Sequence, residues 1–205
     1  MKLDVISSSN KNYERVRNFI AKAYSKRYNG WDNNFDKRFD HQTVCFYIEN
    51  HGEIVASARL VFDRQNGIDS LSPDLAKTQN FEFREHNIEC EGTGLCFQMG
   101  YLQPLMLSMF KWLDHQNVNN CLSLYDPKNF QVMNYNNYIL EFKPVSQAKV
   151  IFEAFKRQNT SGRDEELEPV QWEVGIQNKE DRKKCISNLE GLILKENHFA
   201  VKPTY

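Results

Sequence analysis

Residues 44–62, VCFYIENHGEIVASARLVF, constrain this chain more than any other stretch. Two apolar-rich runs, Val44 to Ile48 and Ile54 to Phe62, flank Glu49-Asn50-His51-Gly52-Glu53. Asn50 and Gly52 are turn formers, and glycine tolerates positive φ, so the stretch predicts a β-hairpin. The second run carries Arg59 inside an otherwise β-branched and apolar strand. Desolvating an unpaired guanidinium is costly. Arg59 must therefore lie on a solvated face, pair with a local carboxylate, or face an anion held in a cleft.

The rest of the chain supplies a core for that hairpin. At 205 residues, 40% apolar and 13% aromatic, it predicts a folded globule, and one domain over residues 1–205 is expected. A net charge of −1 gives no argument for nucleic acid. The start, MKLDVISSSN, has no apolar core, and no apolar run approaches the roughly 20 residues that span a bilayer. The five cysteines (Cys45, Cys90, Cys96, Cys121, Cys185) are odd in number and form no CxxC pair. Free thiols in a reducing, cytoplasmic setting are the expectation.

Along the chain, a short strand at Leu3 to Ile6 precedes a helical period over 12–28. Tyr13, Val16, Phe19, Ile20, Ala23 and Tyr24 share one face there, with Lys and Arg elsewhere. Residues 31–42 read as a loop holding Trp31, Phe35 and Phe39, and residues 63–80 as a long polar excursion. Strands are expected at Phe81 to Phe83 and Ile88 to Phe97. A helix follows over 102–116, with Pro104 in its first turn. After it come a strand at Val118 to Tyr125, a short helix at Asn129 to Asn137, and strands at Tyr138 to Val145, Lys149 to Phe155 and Val170 to Ile176. A helix over Lys179 to Glu196 closes the chain. The pattern predicts a mixed α/β domain with a largely antiparallel sheet.

Triad chemistry has little support: there is no GxSxG, and no Cys sits in a recognisable nucleophile context. The histidines are isolated, with no HxH or HExxH spacing, so no metal site is expected. A phosphate site has more behind it. The strand ending at Phe97 runs through Gln98-Met99-Gly100-Tyr101 straight into a helix, and a helix start offers free N–H groups to an anion. The alternative is an ordinary strand-to-helix turn. Glu82, Glu85, Glu89 and Glu91 gather around the same strand. Glu89 and Glu91, two apart, would share a face. In a cleft such a carboxylate can act as general base on an amine; otherwise the face is simply solvated.

Taken together, these residues resemble the Gcn5-related N-acetyltransferase superfamily, and within it the branch of acyl-homoserine-lactone synthases and N-acyl amino acid synthases. Trp31 follows a first helix through Gly30, Asp36 and Asp40 lie in the loop before the hairpin, Gly52 to Leu60 ends in Arg-Leu, and Glu91 opens the strand before the donor turn. The resemblance covers roughly residues 13–142. It implies a largely antiparallel sheet flanked by helices. It also implies acyl transfer from a pantetheine thioester, acyl-CoA or acyl-phosphopantetheine on an acyl carrier protein, to a small-molecule amine. Glu91 would be the base and Tyr138 the acid. Trp31, Asp40 and Arg59 would bind the acceptor. Leu95, Cys96, Phe97, Gln98, Met99, Gly100 and Tyr101 would bind the donor. Phe81, Phe83 and Phe97 could line an acyl pocket, with core packing the alternative. Three departures stand out: Gly94 replaces the branch's arginine in Glu-x-x-Arg, the Gln-x-x-Gly turn is incomplete, and Tyr138 lies one residue too close to Phe142. An imperfect turn fits a donor without the nucleotide, a plain acetyl-CoA transferase with a divergent turn, or a binding module without catalysis.

Overall fold

The computed structural model describes residues 1–29, 37, 39–62, 76–79, 86–125, 127, 129–157 and 169–200. The hairpin forms as expected. Thr43–Asn50 (β3) and Glu53–Phe62 (β4) pair antiparallel around His51 and Gly52, both at positive φ (51° and 84°). Lys2–Ser7 (β1) extends it on one side. Ile88–Phe97 (β6) pairs antiparallel with β4 on the other. Asn120–Tyr125 (β7) then runs parallel to β6, and Pro169–Gln177 (β9) antiparallel to β7. Lys143–Arg157 (β8) follows, flanked by Tyr28–Asn29 (β2) and Ala76–Gln79 (β5). The resulting order is β1-β3-β4-β6-β7-β9-β8-β2, with β5 also on β8. Among the described residues the strand pairs are antiparallel except β6–β7, where a helix makes the crossover.

Side-chain alternation divides the core into two layers. Tyr13–Arg27 (α1) covers one face, packing Tyr13, Val16 and Ile20 against Cys45, Tyr47 and Cys96. Leu102–His115 (α2) and Lys179–Ala200 (α4) cover the other. Leu105, Met106, Met109, Phe110 and Leu113 of α2 meet Phe46, Ile48, Ala58 and Leu60 there. Trp112 stands edge-on to Phe46 and Phe62, at 5.5 and 5.9 Å between ring centres. Arg182 of α4 is fully buried, yet its guanidinium donates to the carbonyls of Val118 (2.6 Å) and Asn119 (3.2 Å) and to Gln177 Oε1 (3.3 Å). It closes the turn between α2 and β7 and satisfies its own charge.

Three expectations are corrected. No strand starts at Tyr138. Phe130–Asn134 (α3) instead continues as a π-turn over Tyr135–Ile139, where the N–H of Leu140 donates to the carbonyl of Tyr135, and β8 begins only at Lys143. Glu141 at φ 57° ends the turn. From Lys143 the chain is one strand rather than two. A short strand, β5, lies within the expected excursion 63–80. Phe81 to Phe83 lies outside the described residues. The five cysteines are free and buried. Cys90 belongs to the layer under α2 and Cys96 to the layer under α1, so the two cannot bridge. Among the described residues no helix is long and apolar enough to cross a membrane, and no group of three or more His, Cys, Asp or Glu is placed to hold a metal.

Candidate active site

The site begins where β6 and β7 part. Their pairing runs from Ile88 opposite Asn120 to Gly92 opposite Ser123. Beyond that point β7 stays with β9 as far as Tyr125 opposite Glu173, and β6 stays with β4. From Thr93 onward, the β7-facing edge of β6 carries no described ladder partner. A cavity of about 130 Å3 occupies the gap. On its α1 side stand Tyr24, Glu91 and Thr93; on its α2 side stand Met106, Met109, Leu140 and Phe142.

A bulge re-aims β6 inside this gap. Ser57 pairs with Cys96 and Arg59 with Thr93, so three residues of β6 span two of β4. Gly94 lies in the bulge at φ +62°. A Cβ there would meet Arg59 Nε at 2.8 Å and Ile20 Cδ1 at 3.3 Å. The residue is glycine because the Arg59 side chain crosses it. This answers the departure from Glu-x-x-Arg: the space above that position is already filled by a guanidinium from the neighbouring strand.

Arg59 is 3% exposed and faces α1, opposite Cys45. Val61 pairs with Glu91 and Arg59 with Thr93, so Arg59 and Glu91 are diagonal neighbours on one face. That places them within reach of long side chains, at about 7–8 Å. Glu91 is 4% exposed. Glu89 does not share its setting. It sits at a second irregularity, between Ile88 and Cys90, and accepts from Asn119 Nδ2 at 2.5 Å on the surface. The simple two-residue alternation expected for the pair breaks there.

Asp40 belongs to the 3-10 turn Asp40–Gln42 and ties that turn to α1. It accepts from the Tyr13 hydroxyl (2.9 Å) and pairs with Arg17 Nε (3.4 Å). Burial chiefly, with Cys45 and the Asp40 carboxylate beside it, pushes the Tyr13 phenol well up, while Arg59 pulls it down. Asp40 and Arg59 thus act on one buried phenol. Arg17 was not singled out by sequence, although it lies four residues after Tyr13 on the same helical stripe, and its side chain is 1% exposed.

Of the residues expected to bind a donor, Leu95 and Phe97 line the cavity, and the turn at residues 98–101 follows them. Gln98 N–H still bonds the Val55 carbonyl (2.8 Å), and Tyr101 N–H bonds Gln98 (3.2 Å). Tyr101 caps α2 and accepts from Asn50 Nδ2 at 3.0 Å, which pins the hairpin tip to the helix start. Gly100 takes φ +87°, with open space beside it. Met99 and Phe97 are exposed at 96% and 48%. The first-turn N–H groups of Leu102 and Gln103 precede the first helical bond, but Pro104 supplies none. Residues 98–104, QMGYLQP, hold no cation.

Tyr138 is not brought to the cavity: it is 71% exposed on the π-turn, and its carbonyl accepts from Asn188. Trp31 lies outside the described residues. Ser123, Tyr125 and Asn136 line the cavity instead, with Asn136 Oδ1 3.4 Å from Ser123 Oγ. Sequence carried no motif for these three, because the π-turn sets which side of α3 faces inward.

No protein-family model matches the sequence, and no curated protein matches it. Solved structures do. The chain is similar to FeeM, an N-acyl amino acid synthase from uncultured soil microbes, with TM-score 0.57 and 9% identity over 89% of this chain and 98% of that one. It has the Gcn5-related N-acetyltransferase fold. The same acetyltransferase fold is seen in an N-acetyltransferase from Staphylococcus aureus Mu50, at TM-score 0.55 and 7% identity, covering 87% and 99% of the two chains. It recurs in BjaI, a CoA-dependent acyl-homoserine lactone synthase, at TM-score 0.51 and 11% identity over 92% and 87%. In this chain the parting of β6 from β7 and the bulge at Gly94 shape the cavity.

Proposed function

We propose that this chain is an acyltransferase that moves an acyl group from a pantetheine thioester to the amine of a small, amino-acid-like acceptor. The observation that carries this is the cavity between β6 and β7, with buried Glu91 in its wall and, beside it, a strand edge that has no ladder partner among the described residues. That edge offers backbone groups to the pantetheine amides, as a peptide adds to a sheet. Glu91 takes the amine proton, directly or through one water, and backbone N–H groups of β6 stabilise the oxyanion. Met106, Met109, Leu140 and Phe142 give an apolar end to the cavity, and its volume matches about four waters, enough for more than an acetyl group.

The donor is best read as phosphopantetheine on a carrier protein. Pro104 removes one N–H from the helix start, and no cation stands in residues 98–104 to hold a nucleotide. Turnover followed by thiol release decides this. Long-chain acyl carrier protein should outrun acetyl-CoA, and the reverse order would identify a plain N-acetyltransferase. No release from either, or from long-chain acyl-CoA, would leave a binding module without catalysis, which the incomplete turn also fits.

Arg59 is assigned to the acceptor carboxylate, with Asp40 acting on the same buried Tyr13 phenol. Arg59→Lys keeps the charge but loses the two-donor fork. Losing a charge-assisted bond of about 1.5–3 kcal/mol should weaken acceptor binding roughly ten- to a hundredfold. Donor binding and melting temperature should barely move. A fall in both instead would make Arg59 a structural partner of a neighbouring carboxylate.

A further inference from the structure

The cavity has two ends, and they differ in what they can hold. Met106, Met109, Leu140 and Phe142 close the α2 end. The amine must come to the other end, because Glu91 points there. Cys90, one residue before Glu91, pairs with Cys121 in the layer under α2, so alternation turns Glu91 to the α1 face. The side chains around Glu91 at that end therefore decide which amines fit.

Tyr24, Leu124 and Trp172 stand with Glu91 there, and each arrives by its own route. On α1, Tyr13, Val16 and Ile20 are 3%, 0% and 1% exposed. Tyr24, one turn after Ile20, continues their stripe but packs only partly against that layer and lines the cavity as well. On β7, Leu124 follows Ser123 and so alternates to the α1 face. On β9, Glu173 opposite Tyr125 is the last rung of the ladder to β7, and Trp172 lies one residue beyond it. Gly175 faces Phe142 in the α2 layer, so alternation over three residues turns Trp172 to the α1 face. A helix and a strand thus set two aromatic side chains at one end of the gap.

The chemistry of this wall is one-sided. Among the described lining residues Glu91 is the one acid or base, and there is no Lys, Arg, Asp or His. A charged acceptor side chain buried there would find no partner, and that costs far more than it returns. An aliphatic or aromatic side chain would gain from every Å2 it hides, and flat rings offer it large contact area.

We propose that Tyr24 and Trp172 are specificity-determining residues and that the acceptor is an amino acid with an apolar, uncharged side chain, an assignment that rests on the acyl-transfer function proposed above. The amine lies at Glu91, and the acceptor side chain lies against Tyr24, Leu124 and Trp172.

The test measures amide product by mass spectrometry and thiol release in parallel, with acyl carrier protein thioester and acyl-CoA as donors. Five acceptors are compared: phenylalanine, leucine, alanine, aspartate and arginine. In the wild type, phenylalanine and leucine should exceed alanine in kcat/KM by at least roughly tenfold, and aspartate and arginine should fall below alanine. Trp172→Ala should bring the phenylalanine-to-alanine ratio below about threefold, whereas Trp172→Phe, which keeps an aromatic face, should hold it within about threefold of the wild type. A ratio between acceptors in one protein is not moved by a partly misfolded preparation. Equal rates on all five, a preference for aspartate or arginine, or a ratio unchanged in Trp172→Ala overturns the assignment. Thiol release without amide from any of the five overturns the acceptor assignment alone. No thiol release from either donor removes acyl transfer, and this assignment with it.

Discussion

Glu91→Gln is expected to slow acyl transfer by roughly 10²–10⁴-fold, the contribution of one well-placed general base. The substitution keeps the shape of the side chain between Val61 and Leu122 and removes its ability to take a proton. Glu91 is 4% exposed and borders the cavity, so the loss should appear in kcat with donor KM little changed. Melting curves on the same variant separate the two roles open to a buried carboxylate. If Glu91 works mainly as a structural neighbour of Arg59, its diagonal partner across β4 and β6, the variant will melt lower and lose affinity for donor and acceptor together. An unchanged kcat with a well-folded protein would remove Glu91 from the chemistry.

The largest expected effect on stability falls at Gly94→Ala. Two costs add. A non-glycine residue held at φ +62° costs about 1–2 kcal/mol, and forcing a methyl to 2.8 Å from Arg59 Nε and 3.2 Å from its Cγ adds overpacking of about 1–3 kcal/mol. Together they predict a loss of roughly 2–5 kcal/mol, which at this chain length lowers the melting temperature by roughly 5–15 °C. The double variant Gly94→Ala with Arg59→Ala isolates the steric part, because it removes the atoms the new methyl strikes. The backbone cost should persist in it and the clash should vanish. Denaturant melts on the wild type, both single variants and the double variant measure the coupling. Purely additive losses would mean that Arg59 does not lie across Gly94.

The hairpin, β6 and α2 were legible because each carries a local signal: Asn50 and Gly52 between two strand-like runs, Pro104 at a helix start, and apolar residues at helical spacing. Arg59 was legible as an anomaly, and the structure resolves it as a buried cation rather than a solvated one. Arg17 escaped notice, because basic residues were read as lying off the apolar stripe of α1, and its pairing with Asp40 depends on a turn 23 residues away. The parting of β6 and β7 has no sequence mark. It depends on which residues of two strands, separated by a helix, fail to pair. The π-turn was invisible for a related reason: Tyr138 and Phe142 suggested a strand, but one extra residue in the helical turn changes which asparagine faces inward. The cavity wall therefore differs from the one the resemblance implied on the α2 side, with Asn136 and Tyr125 at the cavity and Tyr138 in solvent.

The gap between β6 and β7, with the turn at residues 98–101, is proposed to hold a pantetheine thioester. Calorimetric titration of the protein with acyl carrier protein, acyl-CoA and CoA tests it most directly. Binding is predicted for at least one pantetheine-bearing donor, with the acyl carrier protein ahead of free CoA. No binding to any of the three at millimolar concentration would contradict it.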